Sequence, residues 1–153
     1  MDDTRIYVGP QPFDMVREYA WLAACHDDGA VVTFTGKVRN RNLGDEVSTL
    51  TLEHYPGMTE KALADIVVQA RQRFPLGRVT VIHRVGALAA GEQIVLVGVS
   101  GAHRGAAFGA AEFIMDYLKT RAPFWKHETT PQGSRWVDAR ESDRRAAERW
   151  QVS

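Results

Sequence analysis

The stretch Ser100 to Glu128, SGAHRGAAFGAAEFIMDYLKTRAPFWKHE, organises the rest of the chain. Ser100 or Gly101 is a suitable N-cap, which places His103 and Arg104 in the first turn of a predicted helix. Free N–H groups and the helix dipole favour an anion at such a terminus, and a cation there is unfavourable unless an anion binds. The helix start is therefore a candidate anion site. The alternative is a solvated Arg104 beside a His103 that only caps.

The same helix should end in a second cationic group. Its apolar residues recur at three- and four-residue steps and predict one buried stripe, made of Phe108, Ala111, Met115 and Leu118. The residue before a proline avoids the helical conformation, so Pro123 should end the helix near residues 121–122. Lys119 then lies in the last turn, and Lys126 follows on a short aromatic segment. The helix dipole favours a cation at this end, which also gives Lys119 a purely structural explanation.

The distance between the two cationic groups has a consequence for oligomeric state. Arg104 and Lys119 are separated by ~22 Å along a straight helix at 1.5 Å per residue. Side chains that far apart cannot bind one small ligand within one subunit. If both residues serve one site, a second copy of the chain must complete it, which predicts a dimer with shared sites.

Composition indicates an ordinary globular domain. The 153 residues, 44% hydrophobic and 25% charged, fit a single domain spanning 1–153. Acidic and basic side chains balance at 19 each, so no overall field attracts nucleic acid or membrane. Positive charge is clustered instead, in Lys37, Arg39 and Arg41 and again in Lys119, Arg121 and Lys126.

Localisation is predicted from cysteine content and from the N-terminal residues. Cys25 is the single cysteine, so an intrachain disulfide is impossible and an oxidising compartment is not indicated. The first residues, MDDTRIYVGPQPF, lack the basic and apolar regions of a secretory signal. We expect a cytoplasmic location. Cys25 lies in a predicted turn, and its residue type alone would allow it to carry sulfur.

The hydrophobic pattern predicts a mixed α+β fold. Strands are expected at 5–8, 30–38, 47–55, 78–85, 93–100 and 135–139, and helices at 13–24, 59–73 and 141–150 besides the helix quoted above. The strand 30–38 is rich in β-branched residues and should be central, and 86–92 should be a hairpin-sized connection. The charged helix and tail at about 141–153 should close the chain. Strands and helices do not alternate regularly, which favours α+β over a doubly wound sheet.

Several standard signatures are absent. Gly36-Lys37 lacks the spacing and the following Ser or Thr of a phosphate loop. The histidines do not pair at metal-ligand spacing with one another or with Cys25, so no metal site is expected. Lys37 and Arg39 leave a predicted strand on the same face and could form a clamp for an anion. A solvated strand end would show the same pattern.

Five segments in order resemble the large, catalytic subunit of molybdopterin synthase. They are TFTGKVRN (33–40), LEHYPGM (52–58), PLGRVTVIHRVG (75–86), AHR (102–104) and MDYLKTRAPFWKHE (115–128). The resemblance runs from Ile6 to Trp150 and implies an α/β hammerhead-like domain with additional antiparallel β structure. It implies a sulfur-transfer enzyme that converts cyclic pyranopterin monophosphate to molybdopterin. The sulfur would come from the C-terminal thiocarboxylate of a small ubiquitin-like subunit, without a further cofactor, in a 2+2 heterotetramer built on a homodimer.

The resemblance also assigns the site residues. Lys119 and Lys126 match the catalytic lysines, and both also contact substrate. The other expected substrate-binding residues are Lys37, Val38, Arg39, His103, Arg104, His127 and Glu128. Cationic side chains suit a cyclic phosphate, and Lys119 could stabilise the charge that develops on oxygen or transfer a proton. His103 and Arg104 would reach the site from the other protomer.

Two other classes of function remain open from the sequence. A nucleic-acid binder could use Phe34, Phe124 and Trp125 as stacking platforms beside Arg39 and Lys126. The balanced charge disfavours this reading. A scaffold that kept the fold and lost activity is the other alternative, and the presence of both lysines disfavours it.

Overall fold

The structure is a computed structural model, and it describes residues 3–42, 44–137 and 141–151. The strands are β1 Thr4–Gly9, β2 Ala30–Lys37, β3 Arg41–Asn42, β4 Asp45–Glu46, β5 Thr49–His54, β6 Val79–Arg84, β7 Gly86–Ala89, β8 Gln93–Gly101, β9 Phe124–Thr130 and β10 Gly133–Val137. The helices are α1 Met15–Leu22, α2 Met58–Arg73, α3 Arg104–Arg121 and α4 Glu141–Glu148, and a 3-10 turn follows at Arg149–Gln151. No helix in these ranges is both long and apolar enough to cross a membrane.

The first sheet has the strand order β1-β6-β8-β2 and carries the main core. β1 and β6 are parallel, and the other pairs are antiparallel. Because successive side chains point to opposite faces, Val97 and Val99 of β8 pack with the residues of α2 and α3, whereas Gly98 faces α1. A Cβ on Gly98 would lie 2.4 Å from Leu22 Cδ1, so the glycine lets α1 approach the sheet. The sheet is thus covered on both faces.

The second sheet has the order β10-β9-β5-β7 and is antiparallel throughout. Leu50 and Leu52 of β5 are buried, and they pack with Val38, Val85 and Leu88 in a smaller cluster. Leu50 and Leu52 alternate with partly exposed threonines, so β5 has one buried side and one partly exposed side. The two sheets are joined where β6 passes into β7, so β6 and β9 both border the space between them.

The central helix differs from its prediction at its start. Ser100 and Gly101 do not cap it, because both still belong to β8. The Ser100 hydroxyl donates to Asp28 Oδ2 at 2.8 Å and accepts from the Arg78 N–H, so it is already engaged. The helix begins at Arg104 instead, with His103 as an N-cap that makes no side-chain hydrogen bond.

The end of the central helix agrees with its prediction, and its buried face agrees only in part. The helix ends at Arg121 before Pro123, as expected. Ala111 and Leu118 are buried, and Met115 is half-buried. Phe108, assigned to the same buried stripe, is instead 62% exposed.

The sheets also correct three expectations. The strand expected to be central, β2, lies at an edge, because among the described strands it pairs with β8 alone. The expected connection 86–92 contains β7, and the aromatic segment after Pro123 is β9. Both strands are stabilised by β5, which is distant in sequence, so no local pattern marks them. The predicted strand 135–139 is β10, but residues 138 and 139 lie outside the described residues, as do 152 and 153 of the predicted tail.

Trp150 attaches the C-terminal helix to the core. Its ring packs edge-on against Phe74 and Phe113, and its Nε1–H donates to Asp116 Oδ2 at 2.7 Å. The guanidinium of Arg149 also pairs with Asp116 and with Glu112 on α3. These contacts place the first turn of α4 against the pocket described below.

Replacing Trp150 by alanine should lower the free energy of unfolding by about 2 kcal/mol, because a half-buried aromatic anchor and its hydrogen bond are lost together. Urea denaturation would measure the change. Trp136→Ala is the matched control, since this tryptophan is 61% exposed and should contribute little. Equal losses in the two variants would contradict an anchoring role for Trp150.

Candidate functional site

A pocket of about 330 Å³ lies where the end of α3 meets the ends of β2 and β9. Six of the expected site residues line it, namely Lys37, Val38, Arg39, Lys119, Lys126 and Glu128. These residues come from three separate parts of the chain. The structure therefore brings together the strand-end clamp, the helix-end lysine and the lysine that follows the proline.

The pairing of β2 with β8 is irregular at the end of β2, where Ile94 of β8 is skipped and consecutive residues of the chain border the pocket. The register with β8 shifts between Gly36 and Lys37, which re-aims the side chains that follow. The buried Val38 is held by two backbone hydrogen bonds of 2.8 Å, from its N–H to the Glu92 carbonyl and from the Gly91 N–H to its own carbonyl. Lys37 and Arg39 flank this fixed residue. Their exposed side chains both border the pocket, as predicted for a clamp.

Alternation along β9 divides its side chains between two faces. Phe124, Lys126 and Glu128 face the pocket. His127 does not line the pocket, and its ring centroid lies 4.8 Å from that of the exposed Trp136. The expected contact of the His127 side chain with substrate is therefore not supported by its placement.

Glu128 lines the pocket and also holds neighbouring segments of the chain together. It is 5% exposed, and its Oε1 accepts a hydrogen bond of 3.1 Å from Arg135 Nε. Arg135 also donates to the Asn42 carbonyl at 3.1 Å. Glu128 thus ties β9 and β10 to the segment that follows β2, and its negative charge is largely balanced by Arg135.

His103 and Arg104 lie at the opposite end of α3 and do not border the pocket. Both side chains are exposed. The helix continues without a break from Arg104 to Arg121, so the ~22 Å separation from Lys119 expected for a straight helix applies. Within one chain, the helix-start pair and the pocket are two separate places.

His83 is a pocket residue that the sequence analysis did not single out. It is 5% exposed, and its ring stacks on Phe124 with centroids 3.9 Å apart. Burial lowers its pKa to about 4, the charges of Lys126, Lys119 and His54 add to the effect, and a bond with the Arg84 carbonyl opposes it. A histidine within the apolar run VTVIHR was the available signal, but sequence does not show which way it faces.

The remaining lining gives the pocket a cationic rim and apolar walls. Arg41 adds to the cations already named, and Asp143 is an acidic residue at the border besides Glu128. Phe34, Met115 and Phe124 supply apolar surface. Among residues 3–42, 44–137 and 141–151, no group of three potential metal-ligating side chains is found. The arrangement suits a flat, partly apolar molecule that carries negative charge.

Comparison with known proteins places the chain in a family. The sequence model described as MoaE protein matches residues 8–121. The chain belongs to this family. The molybdopterin synthase catalytic subunit of Escherichia coli strain K12 is 71% identical over 150 residues, which cover 98% of this chain and 100% of that protein. The protein of the same name from Yersinia pestis is 66% identical, with 98% and 99% coverage.

Solved structures of the family share the fold. The molybdopterin biosynthesis MoaE protein of Burkholderia ambifaria matches with a TM-score of 0.83 and 49% identity, over 98% of this chain and 99% of that one. Molybdopterin synthase from Staphylococcus aureus matches with a TM-score of 0.80 and 32% identity, over 90% and 98%. These matches confirm the α+β prediction and the resemblance drawn from the motifs. They also confirm an enzymatic role in molybdenum cofactor biosynthesis.

Lowering the pH from 7 to 5 should destabilise the protein by about 2 kcal/mol through His83 alone. The unfolded chain binds a proton at the ordinary pKa of 6.5, whereas the folded chain keeps this histidine neutral until about pH 4. The contribution of neutral His83 to the free energy of unfolding is therefore complete above pH 6.5. It is lost progressively as the pH falls toward 4.

Urea unfolding of the wild type and of His83→Gln at both pH values isolates this effect, since other groups titrate equally in the two proteins. His26→Gln, at an exposed turn, is the control and should keep the wild-type pH dependence. The same pH dependence in His83→Gln as in the wild type would show that the buried imidazole is not responsible.

Proposed function

We propose that this chain transfers sulfur to cyclic pyranopterin monophosphate and so forms molybdopterin, with the C-terminal thiocarboxylate of a small ubiquitin-like subunit as donor. The observation that carries the proposal is the convergence of Lys119 and Lys126 in one pocket. Lys119 lies at the end of α3 and Lys126 lies on β9, and a turn at Pro123 separates the helix from the strand. Family membership supports assigning that pocket to the synthase reaction.

The pocket chemistry supports the substrate. A cyclic phosphate requires cationic donors, and Lys37, Arg39 and Arg41 supply them at one side. A pterin is flat, and Phe34 and Phe124 offer ring faces and edges among the lining. The volume of about 330 Å³ is at the small end of the range for ligand pockets, which suits one such molecule.

The sulfur donor is proposed to meet the substrate beside Lys119. The thiocarboxylate sulfur attacks a side-chain carbon of the substrate, and the carbon–oxygen bond at that carbon breaks, so that the oxygen leaves as a phosphate oxygen or, after protonation, as water. Water then adds to the acyl carbon and breaks the acyl–sulfur bond, which releases the donor as a carboxylate and leaves the sulfur on the substrate as a thiolate. Two donors used in turn supply the two sulfurs of the dithiolene. Both steps develop negative charge on oxygen, which the Lys119 ammonium stabilises or to which it supplies a proton. The donor brings the sulfur, so the proposal includes no further cofactor and gives no role to the exposed Cys25.

A second copy of the chain is proposed to complete the site with His103 and Arg104. Arg104 and Lys119 lie on one face of α3, because fifteen residues at 100° each bring them within about 60° of each other. Phe108 lies on this face between them and is 62% exposed. A two-fold axis at the middle of the helix would bring position 104 of one copy next to position 119 of the other, so that Arg104 lies beside the partner copy's lysine. The same axis brings position 108 next to position 115, so that Phe108 packs against the half-buried methionine of the partner copy. With one small subunit for each pocket, the assembly becomes a 2+2 heterotetramer.

Neither alternative is favoured by the structure. Phe124 and Trp125 point to opposite faces of β9, so they do not form one stacking surface for nucleic acid. The presence of both lysines in one pocket disfavours an inactive scaffold, and the assay below tests that alternative directly. The cytoplasmic location remains a prediction from the sequence.

Replacing Lys119 by alanine should lower turnover at least a hundredfold, because an electrostatic contact made in the transition state is lost. The assay combines the purified chain with thiocarboxylated small subunit and cyclic precursor, and mass spectrometry detects the dithiolene product. Lys61→Ala is the matched control, since Lys61 is exposed on α2 and does not line the pocket. No product from the wild type, with the small subunit still bound, would leave a binding scaffold as the better description.

Mixing two inactive variants should restore activity if the sites are shared between copies. Arg104→Ala and Lys119→Ala each damage every site of their own homodimers. A heterodimer with one copy of each has one intact site, so a fully exchanged mixture should recover about a quarter of wild-type turnover. Recovery should require subunit exchange, which brief incubation in mild denaturant can promote. A mixture that remains inactive after proven exchange would place both residues in the same copy's site or in none.

A further inference from the structure

We infer that His83 is a further substrate-binding residue, whose Nε2 accepts a hydrogen bond from an N–H group of the bound heterocycle. The inference rests on the proposed function for the identity of the ligand. It concerns the hydrogen-bond donors of the ligand, which the lysines and arginines of the pocket cannot bind. The lysines and arginines recognise negative charge, whereas a reduced pterin also carries ring N–H donors that need acceptors.

The geometry determines which nitrogen of His83 is available. Nδ1 lies 2.8 Å from the Arg84 carbonyl oxygen. A carbonyl only accepts, so Nδ1 must carry the proton, and in the neutral ring Nε2 keeps its lone pair. Among the residues that the structure describes, none donates a hydrogen bond to Nε2, although the ring is 5% exposed and borders the pocket. Nε2 is not among the side-chain atoms of the described residues that are buried without a partner, so it keeps contact with the solvent of the pocket, where a ligand donor can reach it.

The orientation of the ring is held from two sides. Its face stacks on Phe124 at an interplanar angle of 21°, and its Nδ1–H is held by the backbone of the next residue. β6 itself is hydrogen-bonded on both edges, by β1 and β8. Nε2 is therefore a fixed acceptor on a rigid strand, which is the form that orients a ligand most effectively.

The surroundings keep this acceptor in its neutral form. The groups whose charge acts on His83 lie on three elements, namely Lys126 on β9, Lys119 on α3 and His54 on β5. With burial, they lower the pKa of His83 to about 4, so the ring does not become a second donor near neutral pH. In a pocket lined mostly by donors, a neutral imidazole complements the part of the substrate that the lysines and arginines would repel.

Two substitutions separate this role from a structural one. In His83→Asn, the amide N–H can still reach the Arg84 carbonyl while the distal acceptor is removed. In His83→Gln, the longer amide can place an oxygen near the position of Nε2 while the inner bond is lost. We expect about a tenfold rise in KM for the asparagine variant with kcat changed less than threefold, and near-normal KM for the glutamine variant.

The experiment measures turnover and, separately, binding of the cyclic precursor by calorimetry, with thermal melting to check folding. Equal KM values for the two variants, with an active wild type, would overturn the inference and leave the proposed function intact. An inactive wild type that still binds the precursor about tenfold better than His83→Asn would overturn the function but support the inference. A wild type that neither binds nor converts the precursor would overturn both.

A measurement on the wild type covers the case in which the variants do not fold. Imidazole nitrogens labelled with nitrogen-15 report directly on hydrogen bonding at Nε2. The resonance of the unprotonated nitrogen should shift toward that of a protonated one when the precursor binds. An unchanged resonance in a saturated complex would show that Nε2 accepts nothing from the ligand.

Discussion

The site depends on the reversal of the chain at Pro123. Proline ends α3 one turn beyond Lys119, and the chain returns as β9 with Lys126 on the pocket side. The reversal is held by the Phe124 N–H, which donates to the Ala122 carbonyl at 2.9 Å, and by the fully buried Thr59, whose hydroxyl donates to the Pro123 carbonyl at 3.3 Å. Without this turn the two lysines would lie on unrelated surfaces.

The reversal also links the two sheets. Phe124, the first residue of β9, stacks on His83 of the first sheet while it pairs with β5 in the second. β10 is joined back to the segment after β2 through Arg135, which bridges Glu128 and the Asn42 carbonyl. The pocket therefore lies between two rigid sheets and is not formed mainly by loops. Such a support keeps cationic side chains close together although they repel one another.

The electrostatics of the pocket follow from this crowding. The carboxylate of Glu128 is largely engaged by Arg135, so it does not neutralise the lysines fully. A bound anion would supply the missing negative charge. Burial, and to a lesser extent the same cations, lower the pKa of His83, so one neutral acceptor persists among several donors. Such a pocket suits a molecule that carries both negative charge and N–H donors.

Sequence by itself determined the class of fold and the end of the central helix, and it identified six of the residues that line the pocket. These features depend on local rules: the proline before β9, the alternation of Leu50 and Leu52, and motifs long enough to reveal a family. The ~22 Å separation of Arg104 and Lys119 also followed from helix geometry alone.

Tertiary structure alone decided the edge position of β2, the existence of β7, the exposure of Phe108 and the orientation of His83 and His127. Each of these depends on partners distant in the chain, and a local pattern does not contain the identity of such partners.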